Sequence, residues 1–205
     1  NVAQLSASGT VEVVQDLLAI TLSATREGAD ATVVQTQLKT ALDAALAEAR
    51  KQAVPGQLDV RTGSFSLYPR YSREGKISNW VGSAELVLEG RDFSRISATA
   101  GKIQTMSVSQ THFSLSREQR ERVEGEAQAQ AITRFKARAG EISRGFGFTG
   151  FSLREVAVNS NDQGAFPRPR MMAMEAKGMA ADAPVPVEAG RSTVQVTVSG
   201  SIQMR

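Results

Sequence analysis

The chain contains a single histidine, His112, and no cysteine. Thiol nucleophiles, zinc–cysteine sites and iron–sulfur clusters are therefore excluded, and one imidazole cannot build a histidine-rich metal or acid–base centre. A Ser-His-Asp hydrolase would have to use His112, yet no serine lies in a G-x-S-x-G elbow. His112 alternates with Met106, Val108 and Gln110, which reads as a packed or edge-exposed strand residue. Gly145 to Gly150 satisfies G-x-G-x-x-G, but a dinucleotide fingerprint must follow a strand and open a helix, so that helix amides face the pyrophosphate. Here the order is reversed, and the segment reads as a helix-stopping glycine turn with Phe146, Phe148 and Phe151 packed into the core. Asn159 to Gly164 faintly resembles the start of a calcium loop, but the twelfth position, which should supply a bidentate Glu, is Arg170. The acidic residues fall mainly on expected helix surfaces rather than in pairs flanking a cleft. No catalytic, cofactor-binding or metal residue is assigned, and the expectation is a protein that is not an enzyme and carries no cofactor.

Met171, Met172, Met174 and Met179 are the remaining residues with distinctive chemistry, because thioethers are soft ligands for Cu(I) and react reversibly with oxidants. They lie in Asn159 to Gly190, which holds four of the six prolines and four of the six methionines. That composition argues for a mobile loop insertion over 159–190. The methionines then read first as an adaptable apolar contact surface, with sacrificial oxidation and copper binding as the other two readings. A small-molecule or copper-binding module is thus the alternative to a contact protein.

The elements that position these residues follow from periodicity. Leu18, Ile20, Leu22 and Ala24 alternate with smaller or polar residues, as in a half-buried strand. Asp30 then caps a helix reaching about Lys51, with Val34, Leu38, Ala41, Leu42, Ala45, Leu46 and Ala49 on one face. Residues 57–90 read as a long hairpin around Arg73-Glu74-Gly75-Lys76. A bulge near Gly63 is needed, because Leu58 and Val60 share one parity while Phe65 and Leu67 share the other. Asp92 caps a short helix carrying Phe93, Ile96 and Ala100, and a strand follows from Thr105 to Leu115. Ser116-Arg117-Glu118-Gln119 has the form of a capping box and opens a second long helix with Val123, Ala127, Ala131, Phe135, Ala139 and Ile142 on one face. Val156 and Val158 belong to a further strand, and Val194, Val196, Val198, Gly200, Ile202 and Met204 to the last. The class is α+β: two β-α-β-β units joined by a short helix, with mostly antiparallel sheets and the two long helices packed on them.

Charge narrows the partners. Lys and Arg number 24 against 21 Asp and Glu, a formal charge of +3. The basic residues are spread along the chain, so nucleic acid is not an expected partner. Arg117, Arg120 and Arg122 are interleaved with Glu118, Glu121 and Glu124 at i,i+4 spacing and read as a solvated helix face. No run approaches the roughly 18 apolar residues of a spanning helix, so an integral helical membrane protein is not expected. The first residue is Asn1 rather than methionine, from which an upstream segment is expected.

With these elements placed, the chain resembles the SIMPL-domain family of bacterial periplasmic or secreted proteins, over roughly Leu5 to Gln203. The resemblance rests on Leu5-Ser6-Ala7-Ser8-Gly9-Thr10-Val11 and on the run from Val60 to Tyr71. It continues in Ala127-Gln128-Ala129-Gln130-Ala131-Ile132, in Gly147 to Val156 and in Gly190 to Val198. It implies a single domain over 5–203 with lobes at 5–90 and 105–203, and export by a removed signal peptide to the periplasm or beyond. It also implies homo-oligomers, association with the envelope or outer-membrane surface, and links to oxidative-stress tolerance and to immunogenicity. The family pattern carries no catalytic residue.

Overall fold

The computed structural model of the chain describes residues 1–161 and 188–205. Its elements run β1 (Val2–Val14), β2 (Leu17–Gly28), α1 (Ala31–Arg50), β3 (Asp59–Tyr71), β4 (Ile77–Gly90), α2 (Phe93–Lys102), β5 (Ser107–Ser114), α3 (Arg117–Gly145), β6 (Phe151–Asn161) and β7 (Arg191–Met204). The class is α+β with antiparallel sheets, and both β-α-β-β runs are present, as β2-α1-β3-β4 and β5-α3-β6-β7, with α2 between them. Strand β1 is an addition to the expected order. Its inward residues are Ala3, Leu5, Ala7 and Gly9, too small for a strand signature, and the reason lies in what packs on them.

Two compact units result, the first of them assembled from separated parts of the chain. Where the sequence suggests contiguous lobes at 5–90 and 105–203, one unit joins Asn1–Asp16 to the stretch from Leu115 through β6 and to Gly190–Arg205. The other holds Leu17–Ser114.

In the first unit the sheet order is β1-β7-β6. Strands β1 and β7 pair antiparallel without a register shift from Val2↔Gln203 to Val14↔Arg191, so the two ends of the chain lie side by side. Helix α3 buries Val123, Ala127, Ala131, Phe135, Ala139 and Ser143. The first five match the expected stripe. Ser143 completes a strict four-residue step, and Ile142, the sixth residue expected, is partly buried and packs against the same core. A serine tolerates that burial since its hydroxyl donates to the Ala139 carbonyl at 2.9 Å. The core comprises Leu5, Ala131, Phe135, Ala139, Val198, Ile202 and Met204. At Gly9 nothing separates strand from helix: a methyl group there would collide with the Ala127 carbonyl oxygen and lie 2.7 Å from the Ala131 amide nitrogen. The requirement is space rather than a special φ.

The start of α3 differs from a simple capping box. Ser116 Oγ accepts the Gln119 amide at 3.3 Å, as expected, but the Ser116 amide is not left to a Gln119 side chain. Asp16 takes it at 2.7 Å and takes the Ser116 hydroxyl at 2.6 Å. A carboxylate 100 residues away in sequence thus closes the helix N-terminus, where negative charge is favourable.

In the second unit the sheet order is β3-β4-β2-β5. Leu18, Ile20, Leu22, Ala84, Leu86 and Leu88 form one face of the core, and Val34, Leu38, Ala45 and Ile96 from α1 and α2 close it. Each large aliphatic side chain fully buried there contributes roughly 1.5–3 kcal/mol. Asp30 Oδ1 caps α1 by accepting from Thr32 and Val33, and Asp92 caps α2 by accepting from Arg95. The bulge expected near Gly63 is there: Gly63 and Ser64 together oppose Glu85, between the pairs Thr62↔Leu86 and Phe65↔Ala84.

Gly9→Ala is expected to lower stability by at least about 2 kcal/mol, since both backbones must shift. Gly125→Ala, exposed on α3 with nothing within 4 Å of the added carbon, is expected to raise it by about 0.5–1 kcal/mol. Urea unfolding of both variants checks this, and equal effects would remove the close-approach account.

Candidate functional site

The residues singled out for chemistry do not converge. His112 lies exposed on β5 opposite Ala19, on the sheet face away from the helices. The register shifts between Thr21 and Leu22, so Val108 opposes Leu22 on the helix-covered face and does not share the side of His112. Gly145 to Gly150 is a helix stop. Gly147 sits at φ 80°, the Phe148 amide donates to the Ser143 carbonyl and the Gly147 amide to that of Arg144. This is the Schellman arrangement that consumes the carbonyls of a helix end. Phe148 and Phe151 pack against the core of the first unit, as expected, whereas Phe146 is 71% exposed, because the residue before the left-handed glycine points away from it. Met171, Met172, Met174 and Met179, with most of the 159–190 insertion, lie outside the described residues; its first residues, Asn159–Asn161, continue β6. Among the described residues no group of three or more His, Asp or Glu could hold a metal ion, and no helix is long and apolar enough to cross a membrane. Of the expected pairs on α3, Arg117–Glu121 is formed at 2.8 Å.

An open depression of about 810 Å³ lies in the second unit between Pro55–Gln57 and Arg91–Ser94. Its carboxylate, Asp92, is already engaged: the Arg95 amide and then the Arg95 side chain hold it below its ordinary pKa. A group committed to capping α2 is a poor acid or base at neutral pH.

What the structure leaves available is strand edge and exposed apolar surface. In the first unit β1 and β6 are the outer strands. The β1 edge is occupied by α3, whose Arg134 donates to the Ser8 carbonyl at 2.7 Å and whose Arg138 donates to that of Ser6 at 3.2 Å. The β6 edge has no such cover among the described residues. Leu153 opposes Ile202, Val156 opposes Gly200 and Val158 opposes Val198, which puts all three on the sheet face that carries α3. They are nevertheless 51%, 44% and 46% exposed, because α3 lies over β1 and β7. A bulge at Arg154 and Glu155, both opposite Ser201, interrupts the strand between Leu153 and Val156.

In the second unit the β3–β4 hairpin runs past the end of its sheet. Strand β2 stops at Gly28, opposite Trp80, so Arg70–Tyr71 and Ile77–Asn79 pair only with each other. The turn closes through Gly75 at φ 76°, and Asn79 donates to Glu27 at 2.8 Å at the root. Tyr68, Tyr71 and Ile77 are 51%, 64% and 51% exposed. The bulge at Gly63 decides which way these residues face. Ser64 donates its amide to Glu85 at 3.1 Å, and the absence of a side chain at Gly63 leaves room for that carboxylate.

The SIMPL family model, described as a protein of unknown function (DUF541), matches residues 3–202, so the chain belongs to that family. No curated protein matches it.

The Ser64 hydroxyl, then its amide, hold the Glu85 carboxyl below its ordinary value of 4.5. A lowered carboxylate stabilises the folded chain above its unfolded pKa and loses that contribution as pH falls through the folded one. The stability advantage of the wild type over Glu85→Gln should therefore be full at neutral pH and shrink on acidification below about 4.5. Thermal melting across pH reads this, and an advantage constant down to pH 3 (about a unit below the ordinary carboxylate range) would show that Glu85 does not act through its charge.

Proposed function

We propose that this SIMPL-family protein is a non-enzymatic, exported protein of the bacterial cell envelope that works by self-association and surface contact, in envelope or oxidative-stress tolerance. The observation that carries the self-association part is the open edge of β6. A row of unpaired backbone groups flanked by exposed aliphatic side chains is a template for another strand. The strand is also complementary to itself. A two-fold axis between Arg154 and Glu155 would set Leu153 opposite the second copy's Val156, Phe151 opposite its Val158, and Arg154 opposite its Glu155. Apolar then meets apolar and cation meets anion, as a closed dimer interface requires. Export rests on the family resemblance, and the lack of a converging set of reactive groups among the described residues supports the non-enzymatic reading.

Size-exclusion chromatography with light scattering is expected to show an assembly larger than the monomer. Leu153→Asp with Val156→Asp should weaken it by at least about tenfold, or 1.4 kcal/mol, with little change in melting because those side chains are already exposed. A strict monomer over a wide concentration range would overturn self-association. An assembly indifferent to both substitutions would move the interface away from β6. Fractionation of cells making the native precursor should place the protein with periplasmic markers; recovery with cytosolic markers would overturn export.

A further inference from the structure

We infer that the overhanging tip of the β3–β4 hairpin, residues 68–79, is a docking arm for an anionic lipid surface. Arg70, Arg73 and Lys76 crowd this stretch against one acidic residue, Glu74. All four are exposed, and the charged groups of the three cations have no partner among the described residues. Several basic side chains elsewhere among the described residues are engaged instead, as in Lys51–Glu48, Arg61–Glu89, Arg95–Asp92 and Arg117–Glu121. Beside the cations lie Tyr71 and Ile77, directly opposite each other in the ladder, with Tyr68 three residues back along β3 on the other face. The combination discriminates between anionic partners. A soluble polyanion would use the cations and leave Tyr71 and Ile77 in water. A bilayer interface offers phosphate to Arg and Lys, whose stems reach past apolar neighbours, and a half-apolar layer that suits tyrosine rings and an isoleucine.

The architecture suits the role. Beyond Trp80 the arm pairs only with itself, so its side chains can meet a surface without disturbing the core of the second unit. The root is fixed by the Asn79–Glu27 bond and by Pro69 opposite Trp80. The arm is separate from the β6 edge, and its test does not depend on self-association.

The test is co-flotation of the full chain with vesicles of phosphatidylcholine alone and of an equal mixture of phosphatidylcholine and phosphatidylglycerol. Each cation near an anionic surface is worth about fivefold in binding. The wild type should bind the anionic vesicles and be released by salt, and Arg70→Glu with Arg73→Glu should lower binding by at least about tenfold. Tyr71→Ser with Ile77→Ser should also lower it while leaving the salt response in place. Circular dichroism and melting of both variants should match the wild type, which separates lost docking from lost fold. Absence of binding to anionic vesicles, equal binding to both vesicle types, or full binding by both double variants would overturn the inference. Binding to soluble dextran sulfate without flotation would overturn it in favour of an acidic polymer.

Discussion

Helix α3 and strand β1 touch backbone to backbone at Gly9, and the organisation of the first unit follows from that contact. A strand this close to a helix can carry only small inward residues, which is why Ala3, Ala7 and Gly9 surround the single large side chain of Leu5. The helix answers with alanine at 127, 131 and 139, and Phe135 supplies the bulk where the separation permits it. The close approach also brings Arg134 and Arg138 within reach of the β1 carbonyls, so the edge strand is closed by the helix that covers it. With β1 held there, β7 has a partner along its full length, and the two ends of the chain are joined in one ladder. Asp16 completes the arrangement. It sits where β1 gives way to β2 and closes the amide and hydroxyl of Ser116, so the helix that covers β1 begins on a residue at the end of β1.

The second unit solves a different problem. Its core is built from large aliphatic residues, and the constraint lies in the direction of β3. Val60 and Leu67 both pack against that core, although an unbroken two-residue period would place them on opposite faces. The extra residue at Gly63–Ser64 restores the match, and Glu85 binds the amide that the bulge leaves over. The same correction puts Phe65, Leu67, Pro69 and Tyr71 on one side of the ladder, so a local insertion at residue 63 sets the orientation of side chains at the far end of the hairpin.

This contrast explains what the sequence made legible. Elements whose inward residues are large announced themselves: β2, α1, β4 and β7 carry clear periodicity, and the parity change across Gly63 located the bulge. The capped starts at Asp30, Asp92 and Ser116 were visible because a cap is a local hydrogen bond between a side chain and an amide two or three residues away. Strand β1 was not legible as a strand, because small residues give no hydrophobic alternation, and the fit of those residues is to the close approach of α3. The role of Asp16 was hidden for the same reason, since a bond across 100 residues leaves no periodic mark. For the candidate surfaces, residue type alone placed Val156 and Val158 on a strand but could not tell buried from exposed. That distinction depends on how far α3 extends across the sheet, which is a tertiary quantity.

The two edges of the first sheet are treated unequally, and the inequality bears on which strands can add to it. An exposed strand edge is a hazard that folded proteins ordinarily blunt. On β1 the blunting is done by two arginines of the same chain. On β6 it is partial: the Arg154–Glu155 bulge interrupts the ladder and places opposite charges side by side, while Leu153, Val156 and Val158 stay exposed beside it. Indiscriminate strand addition is disfavoured by such an edge, because an arbitrary strand meets a kink and a charge pair it cannot match. A strand carrying the same kink with the charges in the reverse direction meets no penalty. The features that protect β6 from general aggregation are therefore the ones that would select a second copy of itself, since a mismatch that rejects other strands is what gives a contact its specificity.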